Sequence, residues 1–187
     1  MANLKSVLFG GLAITAALLV TLPPSSEASA CGCPPFWTPF GDNCYRFFTF
    51  KNVTWDAAEM HCRGFSVPCS ETRTLLNLGH LTSIHSQEEH DFLTVLYETT
   101  RNKRVSLFGT VWIGLTDQDV EGAWRWSDGS DVTFTSWGSS QPNSHGGNQD
   151  CASFALKTDI GYNWNDLDCG IENEFTVESF ICKLPRW

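Results

Sequence analysis

The chain has 187 residues, with 12 Lys and Arg against 21 Asp and Glu and a formal net charge of −9. That balance excludes a nucleic-acid backbone as partner, because phosphate contacts need clustered cationic side chains. The basic run Arg101-Asn102-Lys103-Arg104 is short and reads as a solvated loop, so the surface suits neutral sugars and cations.

Residues 1–30 hold Lys5, an apolar run from Val7 to Leu22 and the small residues Ala28-Ser29-Ala30. A basic start, a hydrophobic middle and a small-residue cleavage site predict a secretory signal peptide removed before Cys31. A membrane anchor is the competing reading, but the run is short for a spanning helix and stops at Pro23-Pro24. No second hydrophobic stretch of spanning length follows, so no membrane span is expected. The remaining residues 31–187 suffice for one domain with a sizeable core.

Aromatic residues are dense from Phe36 to Phe50 around Gly41-Asp42-Asn43, which predicts a hairpin. Asn52-Val53-Thr54 is an N-glycosylation sequon, and its use would put Asn52 at the surface. Thr54 reads as the N-cap of a helix over Trp55–Cys62, with Trp55, Ala58 and Cys62 at helical spacing. Residues 63–79 form an irregular insert carrying Cys69. Ser86 and Glu89 form a capping box that starts a second helix through Phe92, Leu93 and Leu96. His80, His85 and His90 recur in steps of five, which do not hold one helical face, so satisfied or solvated histidines are expected.

Beyond Phe108 the helical pattern stops. Val111 to Leu115 reads as a buried strand, and Trp124–Trp126 with Val132–Phe134 as a hairpin around Asp128-Gly129. Cys151–Lys157 and Ser179–Leu184 complete the strands. Two helices followed by antiparallel strands and a long irregular stretch give an α+β domain, and long loops in such folds usually carry function.

That irregular stretch is Q-P-N-S-H-G-G-N-Q-D-C from Gln141 and Y-N-W-N-D-L-D-C from Tyr162. Gln141, Asn143, Gln149, Asp150, Asn163, Asn165, Asp166 and Asp168 place many side-chain oxygens between Cys151 and Cys169 and just before them. Oxygen-rich clusters without a nucleophile–base pair suit a hard cation such as calcium. The competing reading is a pair of solvated polar loops, since Asn, Asp and Gly are ordinary turn residues. All eight cysteines lie after residue 30, so disulfides are expected, and no C-x-x-C pair or matching histidine spacing supports zinc. Cys31 and Cys33 are too close to pair without strain. No G-x-S-x-G, H-E-x-x-H or phosphate loop is present, so an enzyme is not expected.

The order of these motifs resembles the C-type lectin domain over nearly all of the chain after residue 30. The resemblance rests on C-P-P-F-W-T-P-F-G-D-N-C-Y-R-F-F, W-D-A-A-E-M-H-C, G-H-L-T-S-I-H-S-Q-E-E, W-I-G-L and F-I-C-K-L around the Q-P-N and W-N-D sites. It implies a disulfide-stapled fold of two helices, antiparallel sheets and a long irregular ligand-binding loop region. Three bridges are implied, Cys33–Cys44, Cys62–Cys182 and Cys151–Cys169. Cys31 and Cys69 remain to pair with each other or with a second chain, which gives a possible disulfide-linked homodimer.

Carried over by position, Gln141, Asn143, Gln149, Asn165 and Asp166 ligate one calcium, with Pro142 in cis and two sugar hydroxyls completing the sphere. A second calcium position maps to Asp117, Glu121 and Asp150, with Ser144 where a fourth acid would stand. Trp137 and His145 flank the triplet; Trp112, Trp126 and Trp164 are taken as core. The triplet departs from the family's E-P-N and Q-P-D patterns, and Gln149 stands where Glu is usual. One carboxylate, Asp166, therefore remains among five side chains, which predicts a weak calcium site. The resemblance implies a secreted lectin acting in recognition of glycans or microbes, multivalency compensating for weak single contacts. The alternative it leaves open is a calcium-independent protein-, ice- or mineral-binding module on the same fold.

Overall fold

A computed structural model describes residues 32–66, 78–100, 110–154, 162–170 and 177–186. The expected leader, Cys31, Cys69 and the basic run 101–104 lie outside the described residues, and so do residues 155–157 of one expected strand.

Among the described residues, eight strands and two helices follow the order β1 (Thr38–Phe40), β2 (Asn43–Thr49), α1 (Trp55–Arg63), β3 (His80–Leu81), α2 (Gln87–Thr100), β4 (Val111–Thr116), β5 (Arg125–Trp126), β6 (Cys151–Phe154), β7 (Trp164–Leu167) and β8 (Ser179–Pro185). The strands join in the order β1-β2-β8-β4-β6-β7, with β3 on β8 and β5 on β4. Between the named strands the expected antiparallel pairing is broken at one place. Val111 and Trp112 of β4 run parallel to Ser179 and Phe180 of β8. These strands are separated by more than sixty residues of chain, so no hairpin forces them to be antiparallel.

Both helices start where their sequence caps them. Thr54 Oγ1 accepts the Ala57 N–H at 3.1 Å, and Trp55, Ala58 and Cys62 form the buried stripe of α1. Ser86 Oγ accepts the Glu89 N–H at 3.1 Å, while the Glu89 carboxylate takes the N–H of His85, one residue before the cap, at 2.8 Å. Glu89 turns inward because two other donors claim it: Lys183 Nζ at 2.8 Å and the Tyr45 hydroxyl at 2.5 Å. The result is a buried ion pair tying α2 to β8 and β2.

The hairpin expected around Asp128-Gly129 is also corrected. Trp126 pairs with Leu115 of β4, whereas residues 131–136 run without a ladder partner. Asp128 accounts for this. Its carboxylate accepts the Ser130 N–H and hydroxyl at 2.9 and 2.5 Å and the Ser83 hydroxyl at 2.5 Å, which turns the chain aside before a second strand can pair. Val132 and Phe134 still pack inward.

Trp112, Trp126 and Trp164 are buried in the core as expected. The indole N–H of Trp55 donates to Ile113 O and that of Trp112 to Val53 O, each at 2.8 Å, locking α1 onto β4. A Cβ on Gly114 would lie 2.6 Å from Leu81 O, so β4 and β3 approach this closely only with glycine there. The three histidines go to different places. His80 Nδ1 meets Glu59 at 2.7 Å, His85 Nε2 lies 3.1 Å from the Ser83 hydroxyl, and His90 is buried beside Phe154.

Three disulfides close the described chain as Cys33–Cys44, Cys62–Cys182 and Cys151–Cys169. The second spans 120 residues, so it removes the most freedom from the unfolded chain, about 4.7 kcal/mol in a loop-entropy treatment.

Candidate functional site

The oxygen-rich residues come together at the β6–β7 edge of the sheet. Sequence reading placed the W-N-D segment in a loop, but Trp164–Leu167 is a strand, with Asp166 opposite Ala152 and Asn165 opposite Ser153 of β6. The Cys151–Cys169 bridge lies where that strand pair ends, with Cα atoms 5.2 Å apart. Asn165 and Asp166 are therefore mounted on a laddered element.

The Q-P-N loop is laced onto that strand. Ser136 O accepts the Trp164 N–H at 2.7 Å, and Trp164 O accepts the Gly138 N–H at 2.8 Å. A turn returns the Gln141 N–H to Gly138 O at 3.0 Å, and the Gln141–Pro142 peptide is cis as expected. The chain then presents two successive N–H groups, from Asn143 and Ser144, to Asp166 Oδ2 at 2.9 and 2.6 Å. Asp166 itself is fully buried. Gly146 and Gly147 take φ near +78°, which lets the loop fold back without a side-chain penalty. That fold brings the His145 N–H to Asn143 Oδ1 and Gln149 Oε1 together, each at 2.9 Å.

The five residues named from sequence are thus joined or neighbouring. Asn143, Gln149 and Asp166 share the loop's hydrogen bonds, and Gln141 opens it. Asn165 is tied to its neighbour on the strand, donating from Nδ2 to Asp166 O at 3.0 Å.

Three buried oxygens of these residues have no partner. Asp166 Oδ1, Gln141 Oε1 and Asp117 Oδ1 are each out of contact with solvent and accept no hydrogen bond among the described residues. Leaving such an oxygen unsatisfied costs about 1–3 kcal/mol, more for a carboxylate, and a divalent ion removes that cost. The donor set is carboxylate and amide oxygen throughout, which fits calcium and does not fit softer metals.

The second set is looser. Asp117 and Asp150 are adjacent through main chain, the Asp117 N–H donating to Asp150 O at 3.1 Å, and Asp117 Oδ2 accepts the Gly122 N–H at 2.7 Å. Glu121 accepts the Ser144 hydroxyl at 3.5 Å, which links this set to the Q-P-N loop. Burial first, and then the Glu121 and Asp150 charges, push the Asp117 carboxyl above its usual range against the opposing pull of Gly122. Burial, Glu121 and Asp168 push Asp150 up in the same way. No three His, Cys, Asp or Glu side chains form a metal cluster among the described residues.

Sequence reading left Asp168 and Asn148 out of the ligand set. Asn148 Nδ2 donates to Asp168 Oδ2 at 2.7 Å, and Asp168 also accepts the Gly170 N–H at 2.8 Å, so this pair braces the glycine loop against the end of β7. The oxygen-rich run around W-N-D-L-D-C was the available signal. Trp137 is half-buried with its ring 4.7 Å from Trp124 and 5.8 Å from Trp164. It supports the loop from beneath, and His145 is the exposed flanking ring.

Residues 51–183 match the sequence model of the lectin C-type domain. Echinoidin of Heliocidaris crassispina is 39% identical over 155 residues, covering 83% of this chain and 98% of that protein. The alpha-N-acetylgalactosamine-specific lectin of Patiria pectinifera is 40% identical over 156 residues, covering 81% and 82%. Among solved structures, the C-type lectin CEL-I from Cucumaria echinata superposes with a TM-score of 0.69 at 31% identity, covering 83% of this chain and 99% of that one. A calcium-independent type II antifreeze protein superposes with a TM-score of 0.60 at 29% identity, covering 83% and 95%.

Proposed function

The chain belongs to the C-type lectin domain family, and from that premise we propose that it is a secreted, calcium-dependent carbohydrate-binding protein. The ion is held by Gln141, Asn143, Gln149, Asn165 and Asp166, with a second position at Asp117, Glu121 and Asp150. When bound, calcium supplies a hard Lewis-acid centre that accepts lone pairs from saccharide oxygens. The protein's own part is to hold five oxygen donors in place. β7 fixes Asn165 and Asp166, and the two backbone N–H groups on Asp166 Oδ2 fix the orientation of its other oxygen.

The observation that carries this reading is the pair of buried, unsatisfied oxygens, Asp166 Oδ1 and Gln141 Oε1, in one loop–strand junction. Removal of residues 1–30 during secretion fits the three disulfides among the described residues, and no helix among them is long and apolar enough to cross a membrane. Asn52 is exposed at a turn, which suits glycan attachment. Cys31 or Cys69 joins two copies if they do not join each other. The decisive experiment pairs calorimetric titration of calcium with chelator elution from immobilised saccharide. Calcium binding together with chelator-sensitive retention supports the proposal, and retention that ignores chelator refutes it.

A second reading has its own support. The His145 N–H already satisfies Asn143 Oδ1 and Gln149 Oε1 without a metal, so the loop holds its shape unaided. A calcium-independent protein-, ice- or mineral-binding module needs only that shape, and one structural neighbour is named calcium-independent.

A further inference from the structure

The same site, on the calcium reading just given, constrains which saccharide it takes. A hydroxyl that gives a lone pair to a cation still carries a proton, and that proton needs an acceptor. The rim offers almost none. Asp166 is fully buried; its Oδ2 already accepts two N–H groups, and its Oδ1 is out of contact with solvent. Gln141 Oε1 is likewise buried.

Asn143 and Gln149 both aim their oxygens at the His145 N–H. That donor fixes the amide orientation, so the NH2 ends of both side chains are what remain for a ligand. Asn165 spends one amide hydrogen on Asp166 O and keeps the other. The ligand-facing chemistry is thus a set of N–H donors around a site with one carboxylate, a poor match for a pair of neutral hydroxyls.

We infer that this site engages its saccharide through an oxygen that bears no proton, the carboxylate of an acidic sugar, rather than through a neutral vicinal diol. A carboxylate accepts hydrogen bonds from the amide NH2 groups, brings no proton to place and is a natural calcium ligand. It also supplies the second negative charge that this ligand set lacks beside a divalent ion. The opposing field comes from Asp117, Glu121, Asp150 and Asp168 near the loop. The last three are not buried, so solvent and salt screen them within about 8 Å at physiological ionic strength, which leaves buried Asp117 as the one less screened acid.

The test is competition for the calcium-loaded protein between matched rings: galacturonic acid against galactose, and glucuronic acid against glucose. Calcium occupancy is followed separately by calorimetry. The uronic acids are expected to compete at concentrations at least about tenfold lower than their parents, and the preference is expected to persist as salt rises. Equal or better competition by the neutral hexoses, with calcium bound, overturns this inference but leaves the calcium site standing. Failure to bind calcium at all overturns both. A reversing variant checks the cause. Gln149→Glu keeps an oxygen for the His145 N–H while adding a rim carboxylate, so it is expected to keep calcium and cut the acid preference to about threefold or less. An unchanged preference in that variant also overturns the inference.

Discussion

Asp166→Asn separates the metal reading from a structural one. In the native protein Asp166 Oδ2 accepts two N–H groups, and Oδ1 is buried with no partner. An asparagine keeps the shape. Its amide oxygen accepts the same two N–H groups, and its NH2 takes the place of Oδ1. Two charge-assisted bonds become neutral ones, a loss of about 0.5–1.5 kcal/mol each. Against this, an unpartnered buried carboxylate oxygen gives way to an unpartnered neutral NH2, and burying a neutral group in place of a charged one recovers about 1–3 kcal/mol. The two changes nearly cancel, so stability in chelator is expected to stay within about 1 kcal/mol of the native protein. Calcium binding is expected to be abolished, because an N–H donor now faces the ion and the set has no charge left. Denaturant unfolding in chelator and in calcium reads both quantities. The native protein should gain about 2.7 kcal/mol at a calcium concentration one hundred times its Kd, and the variant should gain nothing. A variant that retains calcium affinity within threefold, or that loses more than about 3 kcal/mol in chelator, refutes the reasoning.

Other expectations follow from the same geometry. Gln149→Glu adds a second carboxylate to the set and should tighten calcium by about tenfold in calorimetry; an unchanged or weaker affinity removes Gln149 from the ligand set. Replacing Cys151 and Cys169 by alanine should cost about 3 kcal/mol in denaturant unfolding and weaken calcium binding, because the bridge closes 18 residues at the β6–β7 end; an undiminished calcium affinity shows that the ladder alone holds Asn165 and Asp166. Glu89→Ala strands Lys183 in a poorly solvated position and should cost about 3–5 kcal/mol; a loss under 1 kcal/mol shows that water reaches the ammonium. The pH dependence has a defined sign. Burial, the largest cause in each case, holds His61, His85 and His90 below the ordinary 6.5. The unfolded chain therefore takes up protons first, and stability should fall as pH drops through 6.5 toward the lower folded values. A flat stability between pH 7 and 5 contradicts that placement.

The helices were legible because their signals are local. Thr54 and Ser86 cap them through backbone atoms three residues away, and the spacing of Trp55, Ala58 and Cys62 reports one buried face. The bridges were reached through motif order, which carries long-range information that periodicity lacks and which also supplies the proposed ligand residues. What failed was pairing decided at a distance. The hairpin at Asp128-Gly129 looked sound locally, but Ser83, 45 residues away in sequence, supplies a competing bond to Asp128. β7 was read as a loop because W-N-D-L holds two polar residues. Its strand character comes from β6 and from Ser136 and Gly138, which pair with Trp164. The orphaned oxygens of Asp166 and Gln141 lay beyond any sequence argument, since which lone pairs are already used depends on where the cis Gln141–Pro142 turn sends the next two N–H groups.

The most direct test of the central claim is a glycan array probed with the secreted protein, first in calcium and then in chelator. The account predicts binding to a defined set of saccharides in calcium, its loss in chelator and its return when calcium is restored. Saccharide binding that persists undiminished in chelator contradicts it.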